Sequence, residues 1–164
     1  MRIIYYCYGS SHSSVVAAGV HLGLLPADRR PTPREILALP YYDRTPPEDI
    51  GKCLFMGKDE LGHEVYVMGM GHAKKIVRRA IESFLQLYHI PTSEVLFIDA
   101  LPQVGLITKI GGFLSRRMGL VSLGRPLTVY GIRRCYPNFL KLVRAVKERL
   151  VTCNPAPEGR SPLN

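Results

Sequence analysis

No stretch of this 164-residue chain stays apolar for the ~18–20 residues that a membrane-spanning helix needs, so a membrane protein of that kind is excluded. The apolar start, Met1-Arg2-Ile3-Ile4-Tyr5-Tyr6-Cys7, is too short for a signal peptide, and Gly9 with four serines follows where a leader would have to continue. Cytoplasm is therefore the expected compartment. Cys7, Cys53, Cys135 and Cys153 form no Cys-x-x-Cys pair. Wide spacing without an export signal points to reduced thiols and against both disulfides and a structural zinc site. Acid is the scarcer charge, with 13 Asp and Glu against 22 Lys and Arg, a net +9. Such a surplus either attracts anions, from nucleotides to nucleic acid, or forms a solvated basic surface. The excess lies in Lys74 to Arg79, Lys109 to Arg117 and Arg133 to Arg149. No RNA-binding signature or interleaved aromatic stripe accompanies these helical stretches, so nucleic acid has no motif to support it as a partner.

What is present reads as one folded domain over residues 1–152, since an apolar share of 46% and a charged share of 21% are ordinary globular usage. Arg2 to Tyr6 is β-branched and aromatic, a strand, and Val15 to Leu22 follows as a helix that is apolar on all sides and so packed on the sheet. Thr32 can cap and Pro33 open a short helix through Leu39, and Pro40 to Asp49 is an irregular loop rich in proline and tyrosine. Lys52 to Met56 and Glu64 to Met68 flank a polar, glycine-bounded turn and predict a hairpin. Ile76, Val77, Ala80, Ile81, Phe84 and Leu85 recur at helical spacing. Val95 to Ile98, without alternation, predicts a central strand buried on both faces. A helix from Val104 to Met118 contains Gly111-Gly112, a weak point that can split it. Leu127 to Tyr130 reads as a fifth strand and Pro137 to Leu150 as the last helix, while Cys153 to Asn164, polar and rich in proline, reads as a disordered tail.

Strands alternating with helices predict an α/β fold: a three-layer sandwich around a mostly parallel five-stranded sheet with one antiparallel hairpin strand. Ligands in such folds bind outside the carboxyl ends of the strands. Three features fall on that edge: Cys7 to Ser14, the turn Gly69-Met70-Gly71-His72, and Asp99.

The first loop has the parts of an anion site. Gly9 permits close backbone approach, Ser10, Ser11, Ser13 and Ser14 offer hydroxyls, and the helix beyond supplies unpaired N–H groups and a partial positive charge. The plainer alternative is a βα turn with a serine N-cap. Cys7, facing a helix N-terminus, is a candidate nucleophile, or else a small buried hydrophobe. His12 is a candidate acid, base or cationic anchor, or a solvated first-turn residue. Gly71 and His72 place a second set of N–H groups, with Lys74 and Lys75, at a helix start, but the six-residue dinucleotide fingerprint is incomplete. Asp99 is a candidate proton-transfer or magnesium-holding group, or the cap of the next turn. The Walker lysine is missing, so a nucleotide enzyme would have to use Lys74, Lys109 or Arg116 in its place, and Arg116 or Arg117 could also reach a ligand.

From Cys7 onward the loop resembles the nucleophile loop of low-molecular-weight tyrosine phosphatases, with Gly9 and Ser14 matching, but Ser13 stands where the phosphate-gripping Arg belongs and no Asp-Pro-Tyr acid motif follows. It is also similar to the phosphocysteine loop of sugar-phosphotransferase IIB proteins, which lacks that Arg. Over nearly its whole length the chain resembles a family of short proteins from spore-forming bacteria that is defined only as a domain of unknown function. The match rests on Ile4 to Gly9, His12 to Ala18, Ile110 to Arg117 and Leu120 to Pro126. That likeness implies no activity. Two functions follow from the residues: a phosphate-ligand enzyme or phosphocysteine carrier built on Cys7, or a non-catalytic module sensing a nucleotide or contacting a partner. Both take a small anionic ligand, and neither names a cofactor or an oligomeric state.

Overall fold

The computed structural model describes residues 1–116 and 120–153, so Arg117, Met118 and the expected tail beyond Cys153 lie outside the described residues. The elements in order are β1 (Arg2–Cys7), α1 (Ser13–His21), α2 (Pro33–Ala38), β2 (Cys53–Lys58), β3 (Glu64–Gly69), α3 (Lys74–Leu87), β4 (Val95–Asp99), α4 (Leu106–Arg116) and α5 (Val121–Cys153). The fold is α/β with a mixed sheet in the order β2-β3-β1-β4: β1 runs parallel to β3 and β4, and β2 is antiparallel to β3.

β1 holds the centre because its apolar residues run without a gap, which gives both faces something to bury. Ile3 and Tyr5 join α1 and α5 in the main core, whereas Ile4 and Tyr6 meet Met68, Met70 and the half-buried Val77 and Ile81 of α3. Every residue of α1 is buried, as its all-round apolarity requires. Gly19 makes that possible, since a Cβ there would lie 2.8 Å from Leu39 after α2. α2 itself begins as its sequence predicts, with Pro33 in its first turn and Thr32 and Glu35 in a reciprocal capping box.

Two expectations are corrected. The run Val95–Asp99 is an edge strand, not a central one; it lacks alternation because Leu96 packs on the main core while Val95 and Phe97 pack on the α3 side. Among the described residues there are four strands rather than five, for Leu127 to Tyr130 lies inside α5, which also runs through Pro126 and Pro137. Neither proline can donate a helix hydrogen bond, but packing outweighs the loss. Val129, Ile132, Tyr136, Phe139, Val143, Val146 and Leu150 are all buried, at alternating spacings of three and four. α4 also stays continuous through Gly111-Gly112. Gly111 lies where a Cβ would be 2.8 Å from both Leu127 Cβ and Thr128 N, and Cβ atoms at Gly124 and Gly131 would strike the Ser115 and Thr108 backbones. The glycines that looked like a break are what let the two helices touch.

At the amino end of the sheet, the β2–β3 turn is locked to α1 by buried side chains. Tyr5 Oη is 2.9 Å from His21 Nδ1, His21 Nε2 is 3.1 Å from Asp59 Oδ2, and His63 Nδ1 is 2.9 Å from the same oxygen. The other Asp59 oxygen accepts from the amides of Leu61 and His63. Burial lowers the pKa of His21 from 6.5 against the opposing pull of Asp59. Burial also works to raise the Asp59 carboxyl from 3.8, but its bonds to His21 and His63 outweigh it and bring it down to about 2.

Both groups bind a proton less readily in the folded chain than in the unfolded one, so acid favours unfolding. The His21 contribution fades as pH falls through 6.5, and that of Asp59 as pH falls from 3.8 toward 2. The midpoint of thermal unfolding should therefore drop in two steps between pH 7 and pH 2. Asp59→Asn should cost roughly 3 kcal/mol at pH 7 in urea unfolding and make the lower step smaller. A lower step of unchanged size after this substitution would assign the acid sensitivity elsewhere.

Candidate functional site

β1, β3 and β4 are parallel, so Cys7, Gly69 and Asp99 reach the same edge of the sheet. Leaving that edge, the chain from Cys7 passes directly over the end of β3: a Cβ on Gly69 would lie 3.1 Å from the Gly9 carbonyl carbon and 3.2 Å from Ser10 N. Backbone bonds from Met70 N to Cys7 O and from Gly71 N to Tyr8 O close the crossing. Ser10 bends the loop with φ +47, and its carbonyl accepts from Thr45 Oγ1 at 3.0 Å.

α1 then begins without a side-chain cap. His12, not a serine, occupies the N-cap position, and no side chain accepts from the first turn. The first helical bond runs from Val16 N to His12 O, which leaves the amides of Ser13, Ser14 and Val15 without helical partners. Two of the serines are engaged elsewhere and a third has no partner among the described residues. Ser14 Oγ lies 3.1 Å from Cys7 Sγ, Ser11 Oγ donates to Gly9 O, and Ser10 Oγ is buried without a hydrogen-bond partner among the described residues.

His12 is held by a carboxylate that sequence reasoning missed. Asp43, in the tyrosine-rich loop after α2, places Oδ1 3.3 Å from His12 Nε2. It also accepts from Ser115 Oγ of α4 at 2.8 Å and from Arg125 Nε of α5 at 2.9 Å. Its own amide donates to Ser11 O. Burial acts to raise the Asp43 carboxyl, yet the bonds from His12, Ser115 and Arg125 bring it down to about 2. The anion is thus the resident form, His12 donates from Nε2, and the ring packs edge-on against Tyr42 with Nδ1 toward Gly112 of α4. Asp43 carries no periodic or motif signal; the available clue is a lone acid between Tyr42 and Arg44 in a chain poor in acid.

The other candidates divide. His72, beside Gly71 with φ +53, packs edge-on against Tyr8 with ring centroids 4.8 Å apart. Asp99 is occupied: one oxygen accepts from Leu101 N at 3.0 Å and the other pairs with Lys74 Nζ at 2.5 Å, so it caps the turn after β4. Among the described residues no cluster of His, Cys, Asp and Glu is arranged to hold a metal. The side chain of Arg116 lies outside what is described, as does Arg117.

Between the first loop and α4 opens a cleft of about 730 Å³. Cys7, Gly9, Ser11, His12, Ser13, Gly71 and His72 all line it, whereas Ser10, Ser14 and Asp99 do not. Lys74 and Lys109 also line it, and among the described residues no Asp or Glu does. The arrangement can bind an anion at the start of α1, with a thiol and an oriented imidazole in the same wall.

A family model described as "Protein of unknown function (DUF3189)" matches residues 2–148, a span that includes the loop, Asp43 and every residue lining the cleft. No curated protein and no solved structure matches the chain.

Removing Asp43 strands three donors at once. Asp43→Ala should destabilise the chain by about 3 kcal/mol in urea unfolding, against about 1 kcal/mol for Ser115→Ala, which leaves the charge paired. Equal costs would mean that the carboxylate does not bind these elements together.

Proposed function

For this chain, which belongs to the DUF3189 family of proteins of unknown function, we propose a phosphate-type ligand seated at the start of α1, with Cys7 as the nucleophile that takes up the phosphoryl group. The observation that carries this reading is the position of Cys7: its Sγ lies 3.1 Å from Ser14 Oγ, in the wall of the cleft, at the foot of a helix whose first amides no side chain caps. A hydroxyl donor and a helix N-terminus both favour negative charge on sulfur and on a bound phosphate. The resemblance of the loop to phosphatase and phosphocysteine loops supports the same assignment.

In this reaction Sγ attacks phosphorus, an S–P bond forms, and the P–O bond to the leaving group breaks. The leaving oxygen takes a proton. With Nε2–H engaged by Asp43, Nδ1 of His12 is the candidate to take up the proton that the Cys7 thiol loses and then, as imidazolium, to return it to the leaving oxygen. Asp99 drops out of the role because Lys74 and the Leu101 amide occupy it. Ser13 gives the loop no guanidinium, so the phosphate charge would meet amides and the two lysines, an arrangement suited to holding a phosphoryl group for transfer as well as to hydrolysis.

Alkylation with iodoacetamide at pH 7, followed by mass spectrometry, tests the assignment. Cys7 should be modified although it is 7% exposed, millimolar phosphate should slow its modification, and that of Cys53 should be unaffected. Ser14→Ala should slow it several-fold. An inert Cys7 would remove the nucleophile, and a Cys7→Ser chain that binds phosphate unchanged would assign the cleft to a non-catalytic module instead.

A further inference from the structure

Resting on the phosphate reading above, we propose that the ligand is a phosphomonoester with an apolar organic part of about aromatic size, rather than inorganic phosphate or a sugar phosphate. A volume of about 730 Å³ is in the range of sites that enclose whole small molecules, and a phosphate group fills only a corner of it. The thiol, hydroxyls and helix-start amides suited to an anion belong to one segment, Cys7 to Ser13, with His72, Lys74 and Lys109 as further polar groups on the walls. Between these stand apolar side chains from three parts of the chain: Pro47 and Ile50 from the segment after Asp43, Leu101 and Val104 from the approach to α4, and Phe113 from α4.

Two of these are open to water, Ile50 at 43% and Phe113 at 53% exposure, and the cleft gathers them in its walls, so that apolar surface is available to a ligand. The acceptors a sugar most often uses are missing among the described residues. Among the described residues no carboxylate lines the cleft to accept from hydroxyl groups, and Thr108 sets its Oγ1 against Gly131 of α5. Ligand selection would then come from the body of the molecule, with the phosphate supplying the anchor.

Protection of Cys7 from iodoacetamide on the full chain separates the possibilities, using inorganic phosphate, ribose 5-phosphate and 2-naphthyl phosphate as probes. Naphthyl phosphate should protect at a concentration about tenfold or more below that of the other two. Phe113→Ala and Ile50→Ala, at exposed positions in separate elements and checked by thermal melts, should each narrow that ratio. Equal protection by ribose 5-phosphate or inorganic phosphate would overturn the apolar assignment and leave the phosphate site standing. A ratio untouched in both variants would overturn it too. Failure of all three probes to protect would remove the phosphate reading beneath it.

Discussion

The buried carboxylate of Asp43 is the point on which the site geometry depends. Four parts of the chain meet there: the first loop through His12 and the Ser11 carbonyl, the segment after α2 that carries Asp43, α4 through Ser115, and α5 through Arg125. Burying a charge costs several kcal/mol, and the donors around it offset that cost without necessarily leaving a net gain. What such a cluster provides is a fixed geometry. Because α4 forms one wall of the cleft and the loop forms the other, the bonds from His12 and Ser115 to one anion hold the two walls together.

A second carboxylate does the same work at the far end of α1. Asp59 holds His21, the last residue of the helix, while Asp43 holds His12, the residue just before its first turn. A helix of nine residues, buried on every side and fastened at both ends, has little freedom to slide along the sheet. That rigidity matters at its amino end, where the free amides must keep their direction toward the cleft and Ser14 its distance to Cys7. Tyr5 and Cys7 lie on the same strand, so the network at the amino edge of the sheet and the thiol at the carboxyl edge share one rigid frame.

Legibility in the sequence followed the range of the forces involved. β1, the hairpin, α1 and α3 could be read because their patterns are local: a short run of β-branched and aromatic residues, a glycine-bounded turn, a helical repeat. The end of the chain could not be read this way. Leu127-Thr128-Val129-Tyr130 has strand propensity and Pro137 looks like a helix start, yet the three-and-four spacing that begins at Val129 continues to Leu150 across that proline. Contact with α4 through Gly111, Gly124 and Gly131 favours the helix, and that contact is tertiary. The site divides in the same manner. Cys7 to Ser14 is contiguous and was visible as a unit; the pairing of His12 with a carboxylate 31 residues later depends on a loop that no periodicity marks.

The absence of an arginine in the loop has a consequence for how the cleft can discriminate. A guanidinium fork fixes the orientation of a phosphate by two parallel bonds and supplies a permanent charge. Amides at a helix start give a weaker and less directional hold, and Lys74 is already engaged with Asp99. The anchor alone would then accept many anions with modest affinity. Discrimination must arise where the cleft is shaped, along Ile50, Val104 and Phe113, and burial of apolar surface there depends on the distance between the first loop and α4. Asp43 sets that distance. Through one ion it orients the His12 ring and ties together the two walls of the cleft, so in the proposed site chemistry and selectivity would be coupled.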